Sequence, residues 1–390
     1  MPSLLFKNAR LIFLDQVMPQ ADLRVVDGKI VAVGRALQPE PGDDVQHLGE
    51  RFLAPGFIDI HLHGAAGHDA MEATPEAFEA ICRAHAQGGT TALALTTVAA
   101  ENADLINVLK TARAYRQSPH DGAELLGIHL EGPYFSPEKI GAHRSELIRD
   151  PKPELYAPLL EWADVITQVT LAPERPGALA LISALRALGI RVSGGHSDAW
   201  DEEACAAFAH GMEGVTHAFN AMSSARRRGP YRVAGLLEFA LSEPGITCEL
   251  IADGRHVSPT LMRMLYQAKG PGGIILVTDA TAGAGLPEET PFRLGEMECV
   301  VRDHVGLTAD GHALAGSTSL MSHLVQTLVR EADIPVCEAV RMATFNPAEA
   351  LHLKTKGRLE AGADADLVIL DDDLGVLATF VGGRRVYRKN

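Results

Sequence analysis

An alternation repeated along the middle of the chain constrains its fold more than any other feature. Residues 74–89, TPEAFEAICRAHAQGG, carry a Thr suited to cap a helix, Pro at the first helical position and a Gly-Gly stop; the apolar segment TALALTT follows at 91–97. The same order returns in PGALALISALRALG followed by IRVSGGH, and in SPTLMRMLYQAKG before GGIILVTDA. Strands that alternate with helices of about 10–15 residues imply parallel βαβ units. Strand candidates fall at 57–63, 91–97, 125–131, 166–172, 190–196, 214–217, 246–252 and 274–279. Eight such strands predict an α/β chain built on a (β/α)8 barrel, in which chemistry sits at the carboxyl ends of the strands.

The two ends of the chain read differently. LLFKNARLIF, ADLRVVDGKIVAVG and DVQHLG near the start, and ADLVILDDD, VLATFVGG and RRVYRKN near the finish, are short β-like segments separated by Gly, Asp and Pro. Neither end has enough alternating apolar residues for a core of its own. They are expected to combine into one small composite β-sandwich domain, with residues 1–54 and 347–390 flanking a barrel at 55–346.

Charge and composition narrow the function. A net charge of −15 excludes a general nucleic-acid or acidic-membrane surface, so an anionic ligand needs a local positive cluster. No stretch reaches the ~18 apolar residues of a membrane span, and MPSLLFKNARLIFLDQ lacks the pattern of a secretory signal. The five cysteines are scattered without a CxxC pair, which suggests neither a disulfide framework nor a zinc ribbon and points to the reducing cytoplasm.

The strand ends carry the chemistry. FIDIHLHG at 57–64 ends in two histidines at i and i+2, so His61 and His63 project to one side of the strand. Glu131 ends the third strand candidate and His196 the fifth, His217 lies in the sixth, and Asp279 ends the eighth. Four histidines and two carboxylates therefore converge on one mouth. Imidazoles and carboxylates together suit a divalent metal, zinc foremost, with iron, manganese or cobalt as alternatives. Such a metal lowers the pKa of a bound water toward ~7, and a neighbouring carboxylate can shuttle its proton. His129 shares parity with Glu131 and is expected one layer deeper as a structural residue. His47, His85, His120, His210, His304, His312, His323 and His352 are expected in surface or packing roles, and His68 near the pocket rim.

APGFIDIHLHG, GIHLEGPYFSPEKIGAH, SGGHSDA, THAFNAMSSARRRGP, IADGRHV, LVTDA and GRLEAGADADLVILD, in that order, resemble the amidohydrolase superfamily and, within it, the N-acetylglucosamine-6-phosphate deacetylases. The resemblance implies a homodimeric hydrolase that removes acetyl from N-acetyl-D-glucosamine 6-phosphate. It implies Glu131, His196 and His217 as ligands of a principal metal, Asp279 as general base and then acid, and His143 as the donor to the acetamide carbonyl. Sugar and phosphate contacts map to Ala142, Asn220, Ala221, Arg228, His256 and Leu314, with Arg226 or Arg227 able to replace Arg228, and a phosphate contact able to come from a neighbouring subunit. His61 and His63 vary in the family, and where both are kept a second metal can be held with Glu131 bridging, so one or two ions are expected. The alternatives are the N-acetylgalactosamine epimer, another N-acyl amine, or a barrel that serves as a scaffold without turnover.

Overall fold

In the computed structural model, residues 3–118, 121–294, 297–308, 311 and 314–389 are described; His120 and His312 lie outside them. Eight parallel strands pair in chain order: β1 (Phe57–Leu62), β2 (Thr90–Thr96), β3 (Glu124–Glu131), β4 (Ile166–Leu171), β5 (Arg191–Gly194), β6 (Gly214–Val215), β7 (Thr247–Leu250) and β8 (Ile274–Leu276). A parallel bridge between Leu62 and Ala280 joins the first strand to the chain just beyond the eighth and closes the barrel. A helix follows each strand: α1 (Pro75–Gln87), α2 (Asn102–Arg116), α3 (Pro153–Leu160), α4 (Ala178–Ala187), α5 (Asp201–His210), α6 (Leu236–Ser242), α7 (Pro259–Lys269) and α8 (Met321–Glu331), with Val336–Ala343 and Phe345–Ala350 as further helices after α8.

The local signals act as expected. Thr74 accepts the Ala77 N–H to cap α1, Pro75 is its first residue, and the helix stops at Gly88. Its apolar face, with Phe78, Ile81 and Cys82, is buried in the large core between helices and barrel.

Both chain ends contribute to one mixed sheet. Its order runs Arg384–Arg388, Val376–Val381, Leu367–Leu370, Phe52–Pro55, Ser3–Ile12, Val17–Val26 and Lys29–Gly34, and Asp43–His47 also pairs with Ser3–Ile12. The halves meet where Phe52–Pro55 pairs antiparallel with Leu367–Leu370. Phe6, Leu23 and Leu53 from one end share a core with Leu367 and Phe380 from the other, and the Phe6 and Phe380 rings meet edge-to-face at 5.3 Å.

Lys356 ties this sheet region to the barrel. Its Nζ lies 2.7 Å from Glu124 on β3, 2.7 Å from Asp366 and 3.2 Å from Asp364. Asp366 is almost wholly buried, so Lys356 is the charge that balances it.

Two elements have no counterpart in the sequence reading. An antiparallel meander of Pro291–Leu294, Met297–Arg302, Val305–Thr308 and Leu314–Ser317 follows β8. A two-stranded hairpin pairs Arg226–Arg228 with Tyr231–Val233.

Replacing Lys356 with Met strands Asp366 as a buried, unbalanced carboxylate and is expected to cost about 3–5 kcal/mol. Denaturant unfolding monitored by circular dichroism measures it; a loss under about 1 kcal/mol, the size of an exposed ion pair, contradicts this account.

Candidate active site

Barrel closure assembles the first half of the site. The Asp279 N–H donates to His61 O at 2.9 Å, and the N–H groups of His63 and Gly64 both donate to Ala280 O, at 2.7 and 2.9 Å. With the two chain segments clamped in this way, His63 Nε2 lies 3.2 Å from Asp279 Oδ1 and 3.3 Å from Glu131 Oε2. His61 Nε2 lies 3.4 Å from Asp279 Oδ1 and 3.5 Å from Glu131 Oε1.

β5 and β6 supply the second half. His196 Nε2 and His217 Nε2 stand 3.1 Å apart, and 3.3 and 3.2 Å from Glu131 Oε1. His196, His217 and Asp279 all have positive φ, of 48°, 32° and 48°. That backbone is costly for residues with a Cβ and clusters at functional sites. Gly141 (φ +60°) lets the preceding loop lean on His196: a Cβ there would lie 3.0 Å from His196 Cε1. From the same loop, Lys139 O accepts the His196 Nδ1–H at 2.9 Å. That bond fixes the tautomer and turns the Nε2 lone pair toward Glu131.

The donor set fits a divalent cation. His61 Nε2 is buried without a hydrogen-bond partner, and the His196 and His217 nitrogens crowd one carboxylate oxygen. Among the described residues, two groups have their ligand atoms mutually within 4.8 Å, namely His61, His63 and Glu131, and Glu131, His143 and His196. His143 is set apart by its proton. The Ala99 N–H donates to His143 Nδ1 at 3.2 Å, and burial, reinforced by the neighbouring His196, pushes this imidazole down to about 3. A neutral ring that accepts at Nδ1 carries its hydrogen on Nε2, which lies 3.6 Å from Glu131 Oε2. His143 is therefore a hydrogen-bond donor to the site. Burial opposes ionisation of Glu131 and Asp279, but the adjacent histidines outweigh it and hold both carboxyls well below their usual range.

These groups open into a cavity of about 190 Å³. His63, Glu131, Ala142, His143, His196, His217, Asn220, Ala221, His256, Asp279 and Leu314 all line it, with Leu314 coming from the meander. His256 is held through Nδ1 by the buried Asp253 at 2.6 Å; burial opposes its protonation, but Asp253 raises its pKa.

The pattern of the amidohydrolase family matches residues 52–386. The chain is 34% identical to N-acetylglucosamine-6-phosphate deacetylase of Vibrio furnissii, over 98% of this chain and 94% of that one. The chain belongs to the amidohydrolase family. The crystal structure of N-acetylglucosamine-6-phosphate deacetylase from Pasteurella multocida superposes with a TM-score of 0.92 at 32% identity, covering 99% of this amidohydrolase and 100% of that chain. N-acetylgalactosamine-6-phosphate deacetylase of Escherichia coli O157:H7 is 34% identical, over 96% of this chain and 97% of its own.

Several residues singled out from the sequence of this amidohydrolase stand off the cavity wall. His61 is fully buried beneath it, in reach of Glu131 and Asp279. Arg228 is drawn away: its guanidinium pairs with Glu202 at 2.6 Å and stacks on Trp200 at 4.0 Å. Arg226 stacks on the same ring, also at 4.0 Å, and pairs with Asp198. Arg227 lies between them on the opposite face of the hairpin and is exposed. His129 sits below the site with its ring 4.6 Å from that of His61, whereas His68 is engaged by Glu72 and does not line the cavity.

Sequence reasoning missed Glu249. Its Oε2 meets His61 Nδ1 at 3.0 Å and its Oε1 accepts from Gln168 at 2.7 Å. The available signal was a lone carboxylate inside the apolar run TCELIA, where a buried charge must find a partner.

Burial works against a proton on His63, but Asp279 and Glu131 overcome it and raise its pKa to about 9. The raised value stabilises the metal-free protein below pH ~6.5, and that contribution is lost as pH rises through about 9. A divalent cation held by His63 at pH ~7.5 would displace this proton. Calorimetric titration with zinc in buffers of different ionisation enthalpy is expected to show release of about one proton or more per chain, and uptake without proton release contradicts the assignment.

Proposed function

We propose that this amidohydrolase removes the acetyl group from N-acetyl-D-glucosamine 6-phosphate, yielding D-glucosamine 6-phosphate and acetate. The observation that carries the reading is the placement, around one Glu131 and in one cavity, of an ionised Asp279 and a neutral His143 that presents an N–H. Amide hydrolysis needs both a carboxylate to manage the proton and a donor to the carbonyl oxygen.

Glu131, His196 and His217 would hold the principal metal, and His61 and His63 with Glu131 a second. Bound there, a divalent metal supplies Lewis acidity and lowers the pKa of water toward ~7. Asp279 takes the proton of the attacking water and hands it to the departing nitrogen as the C–N bond breaks. The His143 Nε2–H donates to the acetamide oxygen as negative charge gathers on it. The protein thereby returns to its starting protonation state, with the amine and acetate released.

In the same cavity, Asp253 behind His256 favours the protonated ring that would donate to phosphate, beside Asn220 and the backbone at Ala142 and Ala221. With Arg226 and Arg228 committed to Trp200 and their carboxylates, Arg227 is the arginine left to reach a phosphate, and its exposed position suits the cavity of a second copy. Tyr231, 72% exposed on the same hairpin, is the apolar surface such a homodimer would cover. No helix among the described residues is long and apolar enough to cross a membrane, and five free cysteines suit the cytoplasm. The similarity to the galactosamine-6-phosphate enzyme makes that epimer the second reading. The intact base and donor argue against a scaffold without turnover.

Acetate release from N-acetylglucosamine 6-phosphate by zinc-replete protein, with the unphosphorylated sugar and the galactosamine epimer alongside, tests the reading. Release from neither phosphate sinks it, and faster release from the epimer replaces it with the second reading. Asp279→Asn is expected to lower kcat by about 10²–10⁴, and His143→Ala by about 10²–10³. Arg227→Ala is expected to raise KM with little change in kcat, whereas Arg228→Ala leaves KM near wild type. The reverse pattern returns the phosphate to Arg228.

A further inference from the structure

Among the histidines whose rings reach Glu131, His61 hydrogen-bonds a carboxylate on its far side. Its Nδ1 faces Glu249 Oε2 at 3.0 Å; Glu249 Oε1 accepts from Gln168 Nε2 at 2.7 Å, and Gln168 Oε1 accepts from Arg191 Nε at 2.8 Å. The four residues belong to β1, β7, β4 and β5, and their chain of bonds crosses the barrel beneath the cavity. All four are buried: His61, Gln168 and Glu249 have no exposed surface, and Arg191 has 5%.

The chain has a direction. Arg191 can only donate, so the Gln168 oxygen must face it and the Gln168 amide must face Glu249. An ionised Glu249 can only accept, so His61 must present Nδ1–H to it. Nε2 is then the nitrogen left facing Glu131 and Asp279, where no hydrogen bond satisfies it and a metal that displaces any proton there would find its lone pair. A carboxylate behind a metal-bound imidazole fixes the tautomer and strengthens the ligand.

Building on the metal-centre reading above, we propose that Arg191, Gln168 and Glu249 form a polarity relay that commits His61 to a second metal position shared with His63 and Glu131. Glu249 is a positioning residue, acting on the centre through His61. Its backbone carbonyl also accepts the Ala218 N–H at 2.8 Å, and its Oε2 lies 3.4 Å from the His217 N–H. One side chain thus contacts the supports of both metal positions.

Glu249→Gln, close to isosteric, reverses the relay. The new amide cannot face the Gln168 amide, so its oxygen turns there and its NH₂ faces His61 Nδ1. His61 then carries its hydrogen on Nε2, pointing at the position a metal would take. Zinc titration of chelator-stripped protein is expected to show two equivalents for wild type. For Glu249→Gln it is expected to show one tight equivalent and one weakened about 10–100-fold. The retained tight equivalent, at His196, His217 and Glu131, shows that the variant is folded. Adding Gln168→Met frees the Glu249→Gln amide to turn over and is expected to recover the second equivalent. Two equivalents at wild-type affinity in Glu249→Gln overturn the relay and leave the metal centre standing. A single equivalent in wild type overturns the second position itself, and none overturns the metal reading as well.

Discussion

The structure depends on the seam where the barrel closes on itself. A parallel sheet of eight strands becomes a site only when its last strand meets its first. Here that meeting is made at the chemically active end, by the Leu62–Ala280 bridge and the bonds from Asp279, His63 and Gly64. Below them the Thr278 hydroxyl donates to the buried Asp59. The same bonds that close the barrel therefore set the spacing between the β1 histidines and the β8 aspartate. Fold stability and site geometry are one quantity at this seam, and errors in strand register would be felt as chemistry.

Charge balance is the second constraint. Glu131, Asp279 and Glu249 are three carboxylates within a few residues' reach, all held ionised although burial opposes each. The histidines around them supply the compensation, and they divide by what lies on their far side. His196 leans on a backbone carbonyl and His61 on a carboxylate, whereas His143 receives a backbone N–H. Identical side chains in one cluster thus become lone-pair donors or proton donors according to their second contact.

Much of this was legible in the sequence, for identifiable reasons. The barrel was readable because each strand–helix unit carries its own punctuation, such as Thr74, Pro75 and Gly88 around α1. His61, His63, Glu131, His196, His217 and Asp279 were readable because strand ends project to a common mouth. The composite sheet followed from the poverty of apolar residues at either end alone. What could not be read were relations between distant residues. Glu249 gains its meaning from His61, across the barrel. The sharing-out of the three arginines depends on hairpin parity and on Trp200, whose ring two of them stack on. The meander of residues 291–317 hid because its short strands are only partly buried and lack clean alternation.

The composite sheet bears on how the molecule is made. Phe52–Pro55 finds its antiparallel partner in Leu367–Leu370, more than three hundred residues later. At ribosomal speeds of about 5–20 residues per second, that edge waits roughly 15–60 s with its backbone groups unpaired. An apolar strand left open for so long is a template for wrong pairing. The nascent chain therefore passes through a stage at which this strand edge lies open, and the arrival of Leu367–Leu370 brings it to an end.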